Sequence, residues 1–356
     1  VGVEDAFKYC TALNRLTSDP ERRVRVGDLT LIFWADAPTP FESDFLGIVS
    51  DQPEDDEAVT HARATLKALR KGQAISNINP QTTFHILGIS PNAARLSIRL
   101  WISDSIGVLS ARLAQHLDDL HLEDSPEGCS LSIRRLVLET APPKSGWADE
   151  ERISPVLAGE VLRAILTGRP YPRALLSAVI SRCRVEGLAI SDDGASRHRK
   201  DWRHAQHRRC AIIKACLTRE ARATGRKLEI PVSLNESHAN QAYQLGRLFA
   251  AIERAQESAL GHDLNSTVKD RYFGAACATP ASVFPRLIRM HQHHAAKLDG
   301  GIRVNNEKLM QSICDHIQSF PPHLGLEEQG LFTLGYYHQR QDFFRKPAEA
   351  AAAIAD

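Results

Sequence analysis

Apolar and polar residues alternate along the first part of the chain in the pattern of short β-strands separated by helices. The strand segments are 28–36, 82–90 and 94–103. Each is a short apolar run rich in β-branched or large residues, which is typical of a strand. Helical spacing of apolar residues appears in 53–72, which opens with acidic residues and ends before glycine, and in 105–120.

Helical periodicity dominates after a segment rich in proline and glycine, 140–155, which indicates a domain edge. The predicted helices cover 156–168, 173–187, 198–225, 237–260, 265–277, 280–298, 304–318 and 326–345. The last is apolar or aromatic nearly all round, which favours the centre of a bundle. The sequence therefore predicts an α+β fold in four parts. These are a mixed α/β part (1–145), a basic helical segment (146–230), a helical bundle (231–346) and a tail (347–356).

The stretch LGISPNAARLSIRLW (87–101) joins a turn to a strand with basic positions. Its glycine and serine resemble a catalytic serine turn, but Asn92 stands where that motif requires glycine. Pro91 and Asn92 are turn formers. The alternation predicts one face with Leu96, Ile98 and Leu100 and the opposite face with Arg95, Ser97 and Arg99. Two interpretations stay open: a half-buried strand with a solvated face, or a strand that offers two guanidinium groups to phosphates.

Overall composition adds little to this picture. The 356 residues are 43% hydrophobic and 24% charged, which is ordinary for a globular protein. The net charge of +1, from 44 basic and 43 acidic residues, gives no indication of a nucleic-acid partner. Seven scattered cysteines without a C-x-x-C pair indicate reduced thiols, and no apolar run approaches bilayer length, so we expect a cytoplasmic protein.

The distribution of charge along the predicted helices is more informative. Residues 195–227 hold eleven basic residues against two acidic ones, a local excess of nine positive charges. A helical projection places the following residues opposite the apolar arc: Lys200, Arg203, His207 and Lys214. This arrangement predicts an amphipathic helix with a face for a polyanion. The alternative is a face that pairs with carboxylates of another subunit.

Two further helices repeat this design. In 281–300 the side opposite the apolar arc carries Arg286, Arg289, His293 and Lys297. In 237–260 the residues predicted to face outward are Asn240, Tyr243, Arg247 and Arg254. Three basic faces, one with a tyrosine able to stack on a base, favour binding to a nucleic-acid backbone. The predicted nucleic-acid-binding residues are Lys200, Arg203, Lys214, Tyr243, Arg247, Arg254, Arg286, Arg289, His293 and Lys297, with Arg95 and Arg99 of the strand.

No pattern in the sequence indicates catalysis, a cofactor or a metal. In the run HQHH (291–294) helical geometry turns His291 and His294 toward the apolar arc and His293 the opposite way, so the three cannot bind one ion. Asp118 and Asp119 are adjacent and diverge on a helix. Paired carboxylates and Cys/His dyads are not evident, and we expect a protein that is not an enzyme.

Five stretches resemble the large subunit of the subtype I-C CRISPR Cascade complex. They are FHILGISPNAARLSIRLW (84–101), CAIIKACLTR (210–219), AYQLGRLFAAIERAQESALG (242–261), STVKDRYFGAACATPASVFPRLIRMHQHHAAKL (266–298) and GLEEQGLFTLGYYHQRQDFF (325–344). The resemblance implies a non-catalytic subunit of an RNA-guided DNA surveillance complex near the 5′ handle of the guide RNA. It implies a carboxy-terminal bundle like the Cascade small subunits that helps to hold separated DNA strands, and a separate helicase-nuclease that the complex recruits.

The resemblance also implies that this chain corresponds to the carboxy-terminal portion of the family's large subunits. The region expected to read the protospacer-adjacent motif is then largely absent, and no motif-reading residue is assigned. An internally translated small subunit would begin near residue 230, where the sequence has no methionine. The implied partners are guide RNA, double-stranded target DNA, its displaced strand and the other Cascade subunits, with no membrane. A structural assembly subunit whose basic faces contact other proteins is the alternative.

Overall fold

The fold is known from a computed structural model. It describes residues 23–37, 39, 41–49, 79–92, 95–120, 133–140, 154–185, 195–261 and 267–344. The side chains of residues 43, 44, 91, 92, 95, 185 and 195–203 lie outside this description, as do the predicted helix at 53–72 and most of the proline-rich segment at 140–155. The chain divides into two compact units, residues 1–175 with 222–224 and residues 176–221 with 225–356. The predicted boundaries near 145 and 230 stay a prediction.

The first unit is built on a four-stranded antiparallel sheet with strand order β1-β2-β3-β4. The strands are β1 (Arg23–Val26), β2 (Leu29–Ala35), β3 (Thr83–Asn92) and β4 (Arg95–Ser105). The helices are α1 (Phe41–Val49), α2 (Ile106–Asp119), α3 (Ile133–Leu138) and α4 (Pro155–Thr167). One face of the sheet packs through four buried phenylalanines, Phe33, Phe41, Phe45 and Phe84, whose rings meet at centroid distances of 4.9–6.2 Å.

The remaining helices are α5 (Arg173–Val185), α6 (Ala195–Thr224), α7 (Gln241–Leu260), α8 (Val268–Ala278), α9 (Pro280–Ala295), α10 (Gly300–Cys314) and α11 (Leu326–Asp342). Helix α11 is buried nearly all round, as its aromatic sequence predicts. Its Gly335 lies against α7, because a β-carbon there would come 2.1 Å from the carbonyl oxygen of Tyr243. On α7, a β-carbon at Gly246 would come 1.9 Å from the carbonyl oxygen of Phe332. Only glycine at both positions permits this approach of the two backbones.

These elements confirm the predicted α+β class and most of the predicted segments. The periodic helices appear within a few residues of their predicted ends. The sequence pattern missed three short elements, β1, α1 and α3, which are too short to show a clear period. Strand β1 is recognised by its pairing with β2, where Arg23 lies opposite Ile32 and Val26 opposite Leu29.

Candidate nucleic-acid interface

Helix α9 presents a row of cationic side chains to solvent. Its apolar side is buried through Phe284 and Leu287, and the Phe284 ring stacks on Phe320 at 5.2 Å. The basic stripe, as we name the opposite row, consists of Arg286, Arg289, His293 and Lys297, all exposed. Their spacing of three or four residues places them along one side of the helix and the turn that follows it. Among the described residues none of these four forms an ion pair, so their charges remain available to an external anion.

The prediction that Tyr243 and Arg247 of α7 face outward is wrong. Their exposed fractions are 0% and 1%, because α11 packs on that side of α7. Arg247 Nε donates to Gln339 Oε1 at 3.0 Å, and its Nη1 donates to the carbonyl of Glu236 at 2.7 Å. The hydroxyl of Tyr243 lies 3.0 Å from His338 Nδ1, and burial raises the pKa of Tyr243 to about 12. Both side chains support the helix pair and cannot reach a nucleic acid.

Arg254, the third predicted residue of α7, is partly exposed but already engaged. Its Nη1 lies 3.7 Å from Glu257 Oε2, and its guanidinium carbon lies 5.9 Å and 6.0 Å from the ring centroids of Phe343 and Phe344. These contacts hold the Arg254 guanidinium against Glu257 and the two phenylalanine rings. The outward faces of α7 and α9 therefore differ, although their sequences show the same pattern.

Helix α6 presents less cationic surface than its charge predicts. Arg208, Arg209 and Arg219 have exposed fractions of 2–6%. Lys214 is partly buried, donates from Nζ to the carbonyl of Val232, and has a pKa lowered by burial. The side chains of Lys200 and Arg203 lie outside the described residues. Part of the local excess of positive charge therefore belongs to side chains that are buried in the fold. A count of charged residues along the sequence cannot show this.

Strand β4 contradicts the predicted alternation of faces. Gly88 pairs with Leu100 but Ile89 pairs with Ile98, so Arg99 is an extra residue in a β-bulge. The bulge leaves Leu96 and Ile98 62% exposed, while Leu100 is buried. Of the two predicted basic residues, Arg99 is partly buried and donates from Nε to Ser90 Oγ at 2.8 Å. The side chain of Arg95 lies outside the described residues.

Ser90 is fully buried, which removes the hydroxyl that a serine turn would expose. A Ser–His–Asp row does occur elsewhere on the sheet: Ser103 Oγ lies 2.8 Å from His85 Nδ1, and His85 Nε2 lies 3.0 Å from Asp36 Oδ1. Hydrolytic triads bury the carboxylate and leave the serine oxygen ready to attack. Here Asp36 is 61% exposed, and the serine oxygen accepts a hydrogen bond from Trp101 Nε1 at 3.2 Å. These hydrogen bonds therefore fix the positions of side chains on the sheet, and we assign the row no catalytic role.

The histidines of α9 point as their spacing predicts. His291 and His294 are buried and His293 is exposed. His291 Nε2 lies 2.5 Å from Asn306 Oδ1 of α10, so its ring joins two helices. Across the described part of the chain, no group of three or more His, Cys, Asp or Glu side chains could hold a metal ion.

One aromatic residue beside the basic stripe was missed by sequence reasoning. Tyr272 of α8 is partly exposed, and the guanidinium carbon of Arg286 lies 5.4 Å from the centroid of its ring. The two residues are fourteen positions apart on different helices, so no helical pattern relates them. The packing of α8 against α9 brings them together.

The family model for the CRISPR-associated protein Cas_Csd1 matches residues 1–344 of this chain. The chain belongs to the Cas_Csd1 family. Membership gives it a role in a CRISPR Cascade complex, within a family of structural subunits that are generally non-catalytic. Comparison with curated proteins gave no match. No helix among the described residues is both long and apolar enough to cross a membrane.

Proposed function

We propose that this Cas_Csd1 protein is a non-catalytic subunit of an RNA-guided surveillance complex and binds the DNA backbone through the basic stripe. Pairing between guide RNA and target supplies the sequence specificity in such complexes, while the protein supplies charge and shape. Cations that hold the displaced strand oppose its return to the duplex. The stripe would thereby stabilise the R-loop and keep the complex open for a separate helicase-nuclease.

The observation that carries this proposal is the row of exposed cations on α9 without ion-pair partners among the described residues. From Arg286 to Lys297 the row spans about 16 Å at 1.5 Å per residue. Stacked nucleotides rise about 3.4 Å each, so the row matches a run of roughly five phosphates. Guide RNA, target DNA with its displaced strand and the other Cascade subunits are the partners that this role requires.

The test reverses the charge of the stripe in the assembled complex. We expect the triple variant Arg286→Glu, Arg289→Glu, Lys297→Glu to weaken R-loop formation and to flatten the dependence of log K on log[salt]. Each lost contact to single-stranded DNA removes about 0.7 from that slope, so the loss is about 2. R-loop formation would be followed with a fluorescent label on the displaced strand.

The matched control reverses three basic residues that are exposed but lie outside the stripe: Arg226, Arg303 and Lys308. Two of these already face carboxylates, with Arg226 at 3.1 Å from Glu327 and Arg303 at 3.8 Å from Glu307. We expect this control to load DNA nearly as the parent protein does. Equal losses in both triple variants would show that net charge alone matters, and normal loading by the stripe variant would refute the proposal.

A second role in assembly is favoured by exposed apolar side chains on β4. Leu96, Ile98 and Trp101 are each 60% exposed or more on the edge strand of the sheet. Clustered exposed apolar residues are typical of protein contact surfaces. The double variant Leu96→Ser, Ile98→Ser tests this role: we expect weaker co-purification with the other subunits and an unchanged salt slope.

A further inference from the structure

Helix α8 carries an exposed strip that lies between two arginines from neighbouring helices. Along the strip Arg271 and Ala275 are exposed and share one side of the helix. At 100° per residue, Tyr272 and Gly274 fall on opposite flanks of that side. Arg286 of α9 lies over the Tyr272 ring at 5.4 Å, and Arg184 of α5 lies on Gly274.

The contact at Gly274 depends on the missing side chain. A β-carbon at this position would come 2.3 Å from Arg184 Nε and 2.5 Å from its guanidinium carbon. The guanidinium therefore rests on the backbone of α8 while Arg184 remains exposed. Within the described residues Arg184 has no ion-pair partner. Asp270, four residues before Gly274 on α8, uses Oδ2 to accept hydrogen bonds from the backbone N–H and the hydroxyl of Thr267.

The contact at Tyr272 prepares a surface for a planar group. A ring and a guanidinium that meet at this distance attract each other and lose mobility together. Unpaired bases in protein complexes stack on tyrosine rings and on guanidinium planes, with basic side chains at the flanking phosphates. Tyr272 and Arg286 offer a stacking surface for a base, and Arg184 offers a basic side chain for a flanking phosphate.

We infer that this strip of α8 binds an unstacked base of single-stranded DNA on Tyr272 and Arg286, and a neighbouring phosphate at Arg184. The inference rests on the proposed function, because it extends the path of the strand from the basic stripe onto α8. Tyr272 thus takes the stacking role that the sequence pattern assigned to the buried Tyr243. Single-stranded DNA is the occupant because the displaced strand is the unpaired polymer that the basic stripe is proposed to hold.

The test compares two single-stranded DNA oligonucleotides that bind the full-length chain. They have the same number of phosphates, and one carries abasic sites in place of its bases. We expect Tyr272→Leu to weaken binding of the normal oligonucleotide roughly tenfold, since a stacked base contributes about that factor. Binding of the abasic oligonucleotide should not change. Tyr272→Phe keeps the ring and should bind like the parent protein, which separates stacking from any loss of folding.

Gly274→Ala tests the phosphate contact without touching a charge. The added methyl group displaces the Arg184 guanidinium, so we expect Gly274→Ala and Arg184→Gln each to flatten the salt slope by about 0.7. The double variant should lose no more than either single one. Additive losses, or no loss for Gly274→Ala, would overturn the role of Arg184.

The outcomes separate this site from the proposed function. If the parent chain binds the oligonucleotides and Arg289→Gln weakens that binding while Tyr272→Leu does not, the site on α8 is wrong and the stripe stands. If the parent chain binds neither oligonucleotide, the site on α8 is wrong, and the stripe is then judged by R-loop formation in the assembled complex. Tighter binding of RNA of the same sequence would overturn the assignment of the site to DNA.

Discussion

Helices α7 and α9 have the same pattern of apolar and basic residues, yet only α9 shows its basic side to solvent. In α7 the basic side meets α11, which supplies acceptors such as Gln339 to the buried guanidinium of Arg247. In α9 no described helix covers the corresponding side: Arg286 contacts the ring of Tyr272 of α8, and Arg286 and Arg289 stay exposed. A basic face on a helix thus indicates either a second packing partner or a binding surface, and the pattern alone does not distinguish them.

What separates the two helices is the presence of glycine at the contact. Gly246 of α7 lets the backbone of α11 come close enough to cover the polar side of α7. Helix α9 has no glycine between Pro280 and Ala295, and its outer side carries long cationic chains. In α7 the glycine in the middle of the helix marks the place where another helix packs on its polar side.

The largest effect, a loss of stability, is expected when a side chain is added where the backbones of α7 and α11 come close. Gly246→Ala would place a β-carbon 1.9 Å from a backbone oxygen of Phe332, which cannot move alone. We expect a loss of more than about 3 kcal/mol in the free energy of unfolding, measured by urea denaturation. The matched control is Gly301→Ala on α10, where a β-carbon meets nothing within 4 Å. That variant should be neutral or slightly stabilising, because alanine favours helix. Equal stability of the two variants would contradict the close packing of α7 on α11.

The next largest effect is the difference in stability between replacing a buried arginine and replacing an exposed one. Arg247→Met removes the donor to Gln339 Oε1, Gln244 Oε1 and the carbonyl of Glu236. Buried acceptors without partners cost about 2–4 kcal/mol in total, so we expect a loss of that size in thermal or urea unfolding. Arg289→Met on α9 should change stability by less than about 0.5 kcal/mol.

In DNA binding the order of the two variants should be reversed: Arg289→Met should have the larger effect. We expect Arg289→Met to flatten the salt slope of DNA binding by about 0.7, and Arg247→Met to leave it unchanged below the unfolding temperature. A full slope change for Arg247→Met would mean that its side chain reaches DNA, and the contrast between the two helices would then be wrong.

The periodic parts of the chain could be predicted well from the sequence. Helices α7 to α11 and strands β2 to β4 have long apolar periods, and the aromatic sequence of α11 predicted its central place. Short elements such as β1 could not be recognised, because four residues hold too little pattern and their pairing comes from β2. Register was also hidden, since the bulge at Arg99 reverses the faces of β4 without any mark in the sequence.

The candidate site was predicted only in part, for a physical reason. Spacing along one helix identified Arg286, Arg289, His293 and Lys297 correctly as a solvent-facing row. Spacing cannot report what packs on the polar side, so Arg247 was placed outward although it is buried. Nor can it join residues on different helices, which is why Tyr272 was missed.

Acid should destabilise the α7–α11 pair through a buried histidine. Burial, together with the nearby charge of Lys214, lowers the pKa of His338 on α11 to about 3. Its pKa in the unfolded chain is 6.5, so between these values the unfolded chain binds more protons and stability falls as the pH falls. From pH 7 to pH 5 this histidine alone costs about 2 kcal/mol.

The control for this effect is His338→Gln, which cannot take up a proton at this position. We expect the variant to be less stable at pH 7, because it loses the contact of Nδ1 with the Tyr243 hydroxyl. Its further loss between pH 7 and pH 5 should be smaller than that of the parent chain by about 2 kcal/mol. Identical pH profiles in urea unfolding would exclude His338 as the source.

The smallest effect concerns Arg254, which lies between the two cases. Its side chain is 37% exposed, and it faces Glu257 and the rings of Phe343 and Phe344. We expect Arg254→Gln to cost about 0.5–1 kcal/mol in unfolding, the range for a partly exposed ion pair with a cation–π contact. The salt slope of DNA binding should not change, because the Arg254 guanidinium is already engaged by Glu257 and the two rings. With Arg289→Gln as the positive control, a full decrease of about 0.7 for Arg254→Gln would extend the binding surface onto α7. An unchanged slope confines the binding surface to the basic stripe of α9 and the strip of α8 beside it.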